Sequence, residues 1–470
     1  MPTHFPTHWG NPPEGQTRDL RELPGGYGFG SSTLAEWIRD NLNQDNTSIR
    51  GKDATTRARS STEGSAWPVR ISIYGAGDSA PQFSDLGTFI NSQLNDLAKV
   101  ATNRFVAAVA QLDAFRGPCL RWVLDSRGRT RPEEFSDEVN TGDPAELLDF
   151  FLWAEEQAPA KLDVLVLSGH GMAWQDGVVL DAWGRPGRGL GKLRVAAGRR
   201  KPISRSSMKS RVSKAILMDG DIEGGGQDFM TNVELAIALD NIRQKKRKKL
   251  DVLVFDACLM SSSEVLAELS TSVQFAVGGV DEISGSGYNH AGAAQIMTER
   301  GDSLDAMTAA ISFPTSFTDL SDTDSCVAVN VSSTEFEEFI ANFRTFSRRM
   351  LTWVSEDIKN AERAGTALVR ASAQHLAYRG SVADVLELRR GLTTESAPAD
   401  VLASLDAAVN QIEKCVVGKS LGRRYSQFAG ISVYSPALQE DYQSNRSEYV
   451  RLRFDHETNW SAVLDKVFDI

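Results

Sequence analysis

Cysteine is scarce in this sequence, and long apolar runs are missing from it. The four cysteines, Cys119, Cys258, Cys326 and Cys415, are spread over 470 residues. Cysteines so few and so far apart exclude a disulfide scaffold and a cysteine-based zinc site, and they fit a reducing cytoplasm. No apolar run approaches the roughly 18 residues of a membrane-spanning helix, and no basic start followed by an apolar stretch marks a secretory signal. The sequence therefore predicts a cytoplasmic protein without a membrane partner.

Positive charge is also in short supply, except in one segment. The chain has a net charge of −11 and an isoelectric point near 5.2, so as a whole it is not expected to bind nucleic acid. The exception is residues 185–214, which we call the basic insert. It holds eleven Lys or Arg and no Asp or Glu.

The chain is too long for one small domain, and its composition changes along its length. Residues 1–66 are rich in Pro, Gly, Ser, Thr and Asn and predict a flexible N-terminal tail. Residues 67–320, which include the basic insert, alternate strand and helix patterns and predict an α/β domain with a mostly parallel sheet covered by helices. Residues 321–470 predict a mainly helical C-terminal region, and the sequence leaves open whether its strands extend that sheet.

Two matching apolar strands end shortly before a histidine and a cysteine. The run 162–167 leads to His170 and the run 250–255 leads to Cys258, so each polar residue lies three places beyond its strand. If the strands are near neighbours in a parallel sheet, both side chains emerge at one edge, as a thiol nucleophile and its base require. A small core cysteine and a loop histidine are the structural alternative.

The backbone around these residues suits acyl transfer. A nearby imidazole, and a helix predicted to start at Met260, would both favour the thiolate of Cys258. Glycines on both sides of His170 let the backbone turn tightly and approach a ligand. The N–H groups of Gly171 and Cys258 are the candidate donors to an oxyanion.

These residues resemble motifs of the clostripain family of cysteine peptidases, within the caspase-like clan. The matching segments are 168–174 (SGHGMAW) around the histidine and 255–260 (FDACLM) around the cysteine. The segment 280–288 (VDEISGSGY) resembles the acidic, glycine-rich segment that follows the family's catalytic cysteine. Weaker matches near both ends extend the resemblance over roughly residues 67–470.

The resemblance implies a caspase-like three-layer α/β sandwich and an endopeptidase with a Cys258–His170 dyad. Family members commonly cleave after Arg or Lys, and the acid two places before their cysteine, in this chain Asp256, sits in the primary specificity pocket. A partly buried carboxylate suits a guanidinium, although a turn-capping carboxylate is the structural alternative. The chain departs from the family at Ala173, where a second glycine is usual. The chemistry requires no cofactor, and relatives often respond to calcium.

The basic insert lies between His170 and Cys258, where this family often carries a self-cleavage site. An enzyme that accepts Arg or Lys is expected to cut an exposed basic loop near its own active site. We therefore predict a zymogen activated by cleavage in the insert, by itself or by an upstream protease. The candidate cleavage residues are Arg199, Arg200, Arg205, Lys209, Arg211 and Lys214. The competing hypothesis is a surface patch that binds RNA, DNA or an acidic partner.

An acidic, glycine-rich cluster follows the insert. Its members are Asp219, Asp221, Glu223 and Asp228. Oxygen ligands at this density could hold calcium, whereas the lack of EF-hand spacing favours a solvated loop.

The sequence thus predicts an intracellular cysteine endopeptidase that cleaves peptides or proteins after Arg or Lys. The alternative is a catalytically silent caspase-like scaffold that binds a basic peptide, nucleic acid or a partner protein. An unsecreted, latent peptidase of this kind would suit a regulated cascade such as bacterial defence.

Overall fold

A computed structural model gives the fold and describes most of the chain. The described residues are 66–78, 86–100, 104–114, 118–125, 128–129, 133–136, 138–174, 216–219, 228–284, 286–318, 320–375 and 381–470. The predicted tail up to residue 65, the basic insert with its six candidate cleavage residues, and Asp221 and Glu223 lie outside this set. The predictions made for those segments stay predictions.

Strands occur throughout the described residues, from Trp67 to Tyr434. In chain order they are β1 (Trp67–Gly77), β2 (Val106–Ala114), β3 (Cys119–Asp125), β4 (Gly128–Arg129), β5 (Glu133–Ser136), β6 (Ala160–Ser168), β7 (Ile216–Asp219), β8 (Asp228–Met230), β9 (Leu250–Asp256), β10 (Val273–Gly278), β11 (Ser325–Asn330), β12 (Val382–Asp384), β13 (Val416–Leu421) and β14 (Ser432–Tyr434).

The α-helices of the described residues fall between and after these strands. They are α1 (Leu86–Val100), α2 (Pro144–Gln157), α3 (Asn232–Lys246), α4 (Ser263–Leu269), α5 (His290–Arg300), α6 (Ala306–Ser316), α7 (Thr334–Glu356), α8 (Ile358–Ser372), α9 (Val385–Thr394), α10 (Ala399–Cys415), α11 (Gln439–Tyr449), α12 (Arg453–Thr458) and α13 (Trp460–Phe468). Among these helices, none is both long enough and apolar enough to cross a bilayer.

Ten of the described strands form one mixed central sheet. Its order is β13-β11-β10-β9-β6-β1-β2-β3-β4, with β5 pairing with β3. The five central strands, from β10 to β2, are parallel, whereas the outer pairs are antiparallel. The remaining described strands form two small antiparallel sheets, β7 with β8 and β12 with β14.

Apolar side chains cover both faces of the central sheet, which makes a three-layer α/β sandwich. Because side chains alternate along a strand, β1 sends Ile71 and Ile73 into one core and Tyr74 into the other. The first core packs against α1, α5 and α6, and the second packs against α2, α3, α4 and the C-terminal helices. The predicted α/β sandwich with a mostly parallel sheet is therefore confirmed.

Local capping explains where several helices begin. Asp143, the N-cap of α2, accepts a hydrogen bond from the Ala145 N–H, with Pro144 at the first helical position. The helix after the cysteine, however, begins at Ser263 and not at Met260 as predicted. Ser262 is its N-cap, so the helix terminus lies further from Cys258 than the sequence indicated.

The C-terminal region both extends the central sheet and packs on the cysteine side of it. Strands β11 and β13 add antiparallel strands beside β10, which settles the question that the sequence left open. Ser261 Oγ donates to the Gly430 carbonyl at 2.7 Å, and the Tyr434 N–H donates to Glu264 Oε1 at 2.8 Å. These bonds join the start of α4 to the neighbourhood of β14.

Candidate active site

The histidine and cysteine segments leave the sheet side by side. Strands β6 and β9 are parallel neighbours, and Ser168 is paired with Asp256 in their register. His170 and Cys258 each follow two residues after that pair. The predicted adjacency of the two strands is confirmed, and both residues emerge from the same edge of the sheet.

Gly171 places the backbone of the histidine loop directly against the backbone of Cys258. A Cβ built on Gly171 would lie 2.5 Å from the Cys258 carbonyl oxygen, 2.8 Å from the Ala257 Cβ and 3.1 Å from the Cys258 nitrogen. Real Cβ atoms do not approach so closely, so only glycine fits at this position. The glycine after the histidine therefore brings the two loops into contact.

We expect Gly171→Ala to lower kcat/KM by about 10- to 100-fold while the protein stays folded. The added methyl group must push the histidine loop away from Cys258, and a misplacement of about 1 Å at a reacting pair costs roughly 100-fold. Peptide hydrolysis and circular dichroism together measure this. Gly365→Ala is the matched control, because its Cβ would meet only Val467 Cγ1, at 3.4 Å. Equal activity of the Gly171→Ala and Gly365→Ala variants would contradict the view that Gly171 holds the histidine loop against Cys258.

The two candidate oxyanion donors lie at this same contact. In the described part of the chain, the N–H groups of Gly171 and Cys258 take part in no backbone hydrogen bond. The nearby Gly169 N–H, by contrast, donates to the Asp256 carbonyl at 3.3 Å and prolongs the pairing of the two strands. N–H groups that are not used within the backbone are available to bind an oxyanion.

The Cys258 thiol is half-buried and is held as a neutral group. Its Sγ accepts a hydrogen bond from the Ile283 N–H at 3.4 Å. Burial raises the pKa of the Cys258 thiol to about 11, and the carboxylates of Glu282, Asp281 and Asp256 also raise it, against the lowering effect of that hydrogen bond. The expectation that the surroundings favour the thiolate is therefore not met in this structure.

A network that the sequence did not reveal holds the loop beneath the thiol. The Tyr425 hydroxyl donates to Asp281 Oδ2 at 2.5 Å, and His375 Nδ1 lies 3.7 Å from the same oxygen. The Asp281 carbonyl accepts the Leu259 N–H at 3.1 Å. No local motif marks this network, because Tyr425 is 144 residues from Asp281 along the chain.

Strained backbone collects around the two reactive residues. Leu259, directly after Cys258, has φ of 65°, and Ala173, where the family usually has glycine, has φ of 55°. Leu217, whose N–H donates to the His170 carbonyl at 3.0 Å, has φ of 58°. Each such residue costs about 1–3 kcal/mol, and strain of this kind concentrates at functional sites.

Asp256 lies at the end of β9, beneath these loops, and its carboxylate is enclosed by donors. Its Oδ1 accepts the Tyr288 N–H at 3.0 Å, and its Oδ2 lies 3.0 Å from Gln93 Nε2 and 2.9 Å from His290 Nε2. Gly287, with φ of 62°, closes over the carboxylate, since a Cβ there would lie 2.5 Å from both oxygens. The side chain does not cap its own turn.

The amide nitrogen of Gln93 occupies a position that suits a cation. Besides Asp256 Oδ2, its Nε2 faces the carbonyl oxygens of Ser286 at 2.6 Å and Tyr288 at 3.4 Å. One negative and two partial negative charges therefore surround a single neutral amide nitrogen. Gln93, Gly287 and His290 also line a surface cavity of about 300 Å³. Gln93 lies on α1, and no sequence motif pointed to it.

Of the four predicted calcium-binding residues, the structure describes Asp219 and Asp228. Asp219 and Asp228 are paired across β7 and β8, but Asp228 Oδ2 accepts a hydrogen bond from Asn140 Nδ2 at 2.7 Å. The carboxylate oxygens of Asp219 instead lie within 4.8 Å of those of Asp78 and Glu138. Among the described residues, these three form the one group of acidic ligands close enough to share a metal ion, and calcium binding by Asp221 and Glu223 stays a prediction.

Comparison with known proteins agrees with this geometry. The model of the clostripain family matches residues 206–466, more than half of the chain. The match includes the cysteine segment and the C-terminal region, whereas His170 lies before it. A search of curated proteins gives no match.

Solved structures share the fold over most of the chain. An inactive zymogen of a C11 protease from Parabacteroides distasonis is 17% identical, with 84% of this chain and 99% of that chain covered and a TM-score of 0.56. A secreted C11 cysteine protease from Bacteroides thetaiotaomicron, bound to an irreversible peptide inhibitor, is 16% identical, with coverage of 84% and 99% and a TM-score of 0.55. A second structure of a secreted C11 cysteine protease from that organism is 14% identical, with coverage of 84% and 100% and a TM-score of 0.57. These likenesses show a shared caspase-like fold.

Proposed function

The chain belongs to the clostripain family of cysteine peptidases, and on that premise we propose that it is an endopeptidase that cleaves after Arg or Lys and is made as a zymogen. The observation that carries this proposal is the close contact of Gly171 with Cys258 at the ends of two neighbouring strands. Peptidases of this family work with thiol and imidazole alone and need no cofactor.

The proposed reaction follows from the groups at this contact. Cys258 Sγ attacks the scissile carbonyl carbon while His170 takes the thiol proton. The N–H groups of Gly171 and Cys258 bind the oxyanion that forms. His170 then gives the proton to the leaving amine, the C–N bond breaks, and the acyl group stays on sulfur as a thioester. Water attacks the thioester with His170 as its base, which releases the acid and restores the thiol.

The surroundings of Asp256 support selectivity for a basic side chain. A guanidinium or ammonium that replaced the Gln93 amide would meet one carboxylate oxygen and two backbone carbonyls. A charged donor at such a position makes stronger hydrogen bonds than a neutral amide does. Gln93 therefore fills the substrate's position in the uncleaved chain and leaves when substrate enters.

Two features support a zymogen. The thiol is held neutral, since burial raises the pKa of Cys258 to about 11, and Gln93 fills the specificity pocket. The basic insert joins the histidine segment to β7 and offers the Arg and Lys residues that such a pocket would accept. Cutting it, by this enzyme or by another protease, frees the loops beside His170 to move. We also propose a reducing compartment, because all four cysteines are free.

A panel of fluorogenic peptides that differ only in the residue before the scissile bond tests the proposal. We expect Arg and Lys peptides to be cleaved at least about 100-fold faster than the Gln peptide, which has similar shape but no charge. The panel is measured before and after cleavage in the basic insert, and activity is expected to rise on cleavage. Equal rates for Arg and Gln would contradict the selectivity. No hydrolysis by the cleaved protein would favour a catalytically silent scaffold.

A further inference from the structure

A buried histidine outside the Cys258–His170 pair lies against the carboxylate of the candidate specificity pocket. His290 is the first residue of α5, and its Nε2 lies 2.9 Å from Asp256 Oδ2. The two side chains have 0% and 2% of their surface exposed. The His290 ring also packs edge-on against Phe313, with the ring centroids 6.0 Å apart. Its position is therefore fixed both by the core and by the carboxylate.

The surroundings of His290 decide which of its ring nitrogens carries the proton. Nδ1 is buried and has no hydrogen-bond partner among the described residues, whereas Nε2 faces a carboxylate oxygen. Because a buried N–H without an acceptor is costly, the proton belongs on Nε2, which donates to Asp256 Oδ2. A carboxylate oxygen has two acceptor positions, so one of those on Oδ2 is used by His290.

Asp256 offers only part of its carboxylate to a substrate. Oδ1 accepts the Tyr288 N–H at 3.0 Å, and Gly287 closes over the side equidistant from both oxygens, where a Cβ would lie 2.5 Å from each. Gln93 Nε2, at the position proposed for the substrate's cation, meets the carboxylate through Oδ2 at 3.0 Å. A guanidinium binds a carboxylate best as a fork, with one N–H on each oxygen. At this position a substrate meets the one remaining acceptor position of Oδ2 and not the paired edge that a fork requires.

The acceptors around Gln93 Nε2 converge on a single nitrogen atom. They are Asp256 Oδ2 and the carbonyl oxygens of Ser286 and Tyr288. The amide has two hydrogens for these three acceptors, and Gln93 Oε1 is buried without a partner in the described part of the chain. A lysine ammonium carries three N–H groups on one nitrogen, whereas a guanidinium spreads five over a planar fork. The position therefore matches an ammonium.

We propose that His290 is a specificity-determining residue, which makes this pocket favour Lys over Arg before the scissile bond. By taking one acceptor position of Asp256 Oδ2, His290 withholds the carboxylate edge from a guanidinium and leaves a site for one nitrogen with three donors. The effect on cleavage rests on the proposed peptidase function, whereas the preference in binding does not.

Two fluorogenic peptides that differ only in Lys or Arg before the scissile bond test the proposal on protein cut in the basic insert. We expect kcat/KM to be at least about 10-fold higher for the Lys peptide, because the Arg peptide forgoes one charge-assisted hydrogen bond. This ratio is measured on the unsubstituted protein and depends on no variant. The Gln peptide serves as the uncharged reference.

Substitution of His290 tests whether it is the cause of the preference. His290→Phe keeps a ring against Phe313 but removes the donor, so the Lys/Arg ratio is expected to fall towards one through faster cleavage of the Arg peptide. His290→Gln keeps a donating nitrogen and is expected to hold the ratio within about 2-fold of the parent. His456→Phe is the matched control, because His456 is exposed on α12, and it should leave both rates unchanged.

Calorimetric titration measures the preference without catalysis. The full chain carrying Cys258→Ala, cut in the basic insert, is titrated with peptides that end in Lys, Arg or norleucine. We expect the Lys peptide to bind at least about 10-fold more tightly than the Arg peptide, and the uncharged norleucine peptide to bind most weakly. Adding His290→Phe should bring the Lys and Arg affinities together.

Equal or faster cleavage of the Arg peptide, with both basic peptides far above the Gln peptide, would overturn this proposal and leave the proposed function intact. A Lys preference that His290→Phe leaves unchanged would also overturn it, since another group would then set the ratio. Tighter binding of the Lys peptide by a chain that hydrolyses none of the peptides would support the pocket and count against the peptidase function. The two proposals can therefore fail separately.

Discussion

Cys258→Ala is expected to lower kcat for peptide hydrolysis by at least about 10⁴-fold. The substitution removes the only atom that can carry the acyl group, and an enzyme without its nucleophile keeps only the part of its rate that binding and the oxyanion donors supply. Both proteins are first cut in the basic insert by an added serine protease that is then inhibited. Any remaining difference in rate then reports the loss of the nucleophile and not a failure of the variant to cleave its own basic insert.

The control is a second free cysteine in the same molecule. Cys326, buried in β11, can be replaced by alanine with a stability cost and with hydrolysis largely kept. Intact mass supplies an independent readout, because unsubstituted protein left alone is expected to lose mass by cleavage in the basic insert while Cys258→Ala keeps its full mass. Hydrolysis by Cys258→Ala at the parent rate would end the thiol mechanism. Full mass retained by both proteins would assign activation to another protease.

Asp256→Asn is expected to lower kcat/KM for Arg and Lys peptides by about 30- to 5,000-fold. That range corresponds to the roughly 2–5 kcal/mol that is lost when one partner of a desolvated charge pair is removed. The amide has the shape of the carboxylate, so the loss should appear as selectivity and not as unfolding. The measurement is the ratio of kcat/KM for the Arg and Gln peptides, which should fall towards one.

Two further variants sharpen this experiment. Asp251→Asn removes a buried acid at the opposite end of the same strand, where Asp251 pairs with Lys248 at 2.7 Å, and it should lower stability without changing selectivity. Gln93→Ala should raise kcat/KM for Arg and Lys peptides, because substrate then has no amide to displace. An unchanged Arg preference in Asp256→Asn would remove this residue from the specificity pocket.

Much of the sheet was predictable because several of its strands are short runs of apolar residues. The strands that became β6 and β9 are apolar on both faces, which is typical of parallel strands buried between two layers of helices. Asp143 was identifiable as a helix cap because its effect is local, with Pro144 and the Ala145 N–H beside it. An apolar run and a helix cap can both be recognised from neighbouring residues alone, without knowing how the rest of the chain folds.

The start of α4 was mispredicted for a physical reason. The sequence predicted a helix from Met260, but the backbone N–H groups of Leu259 and Ser261 bond to distant parts of the chain. The Leu259 N–H donates to Asp281 and the Ser261 N–H donates to Gly279, each through a backbone carbonyl. Tertiary partners therefore override local helix formation next to the thiol.

The amino-acid sequence by itself predicted that the segments carrying His170 and Cys258 emerge at one edge of a parallel sheet, and the pairing of β6 with β9 agrees with this. Only the tertiary structure decided what surrounds them. Gln93, for example, lies 163 residues from Asp256 along the chain, yet its amide nitrogen is 3.0 Å from an Asp256 carboxylate oxygen. Charge and hydrogen bonding act through space over a few ångströms, so groups far apart in sequence show their influence on each other only once the chain has folded.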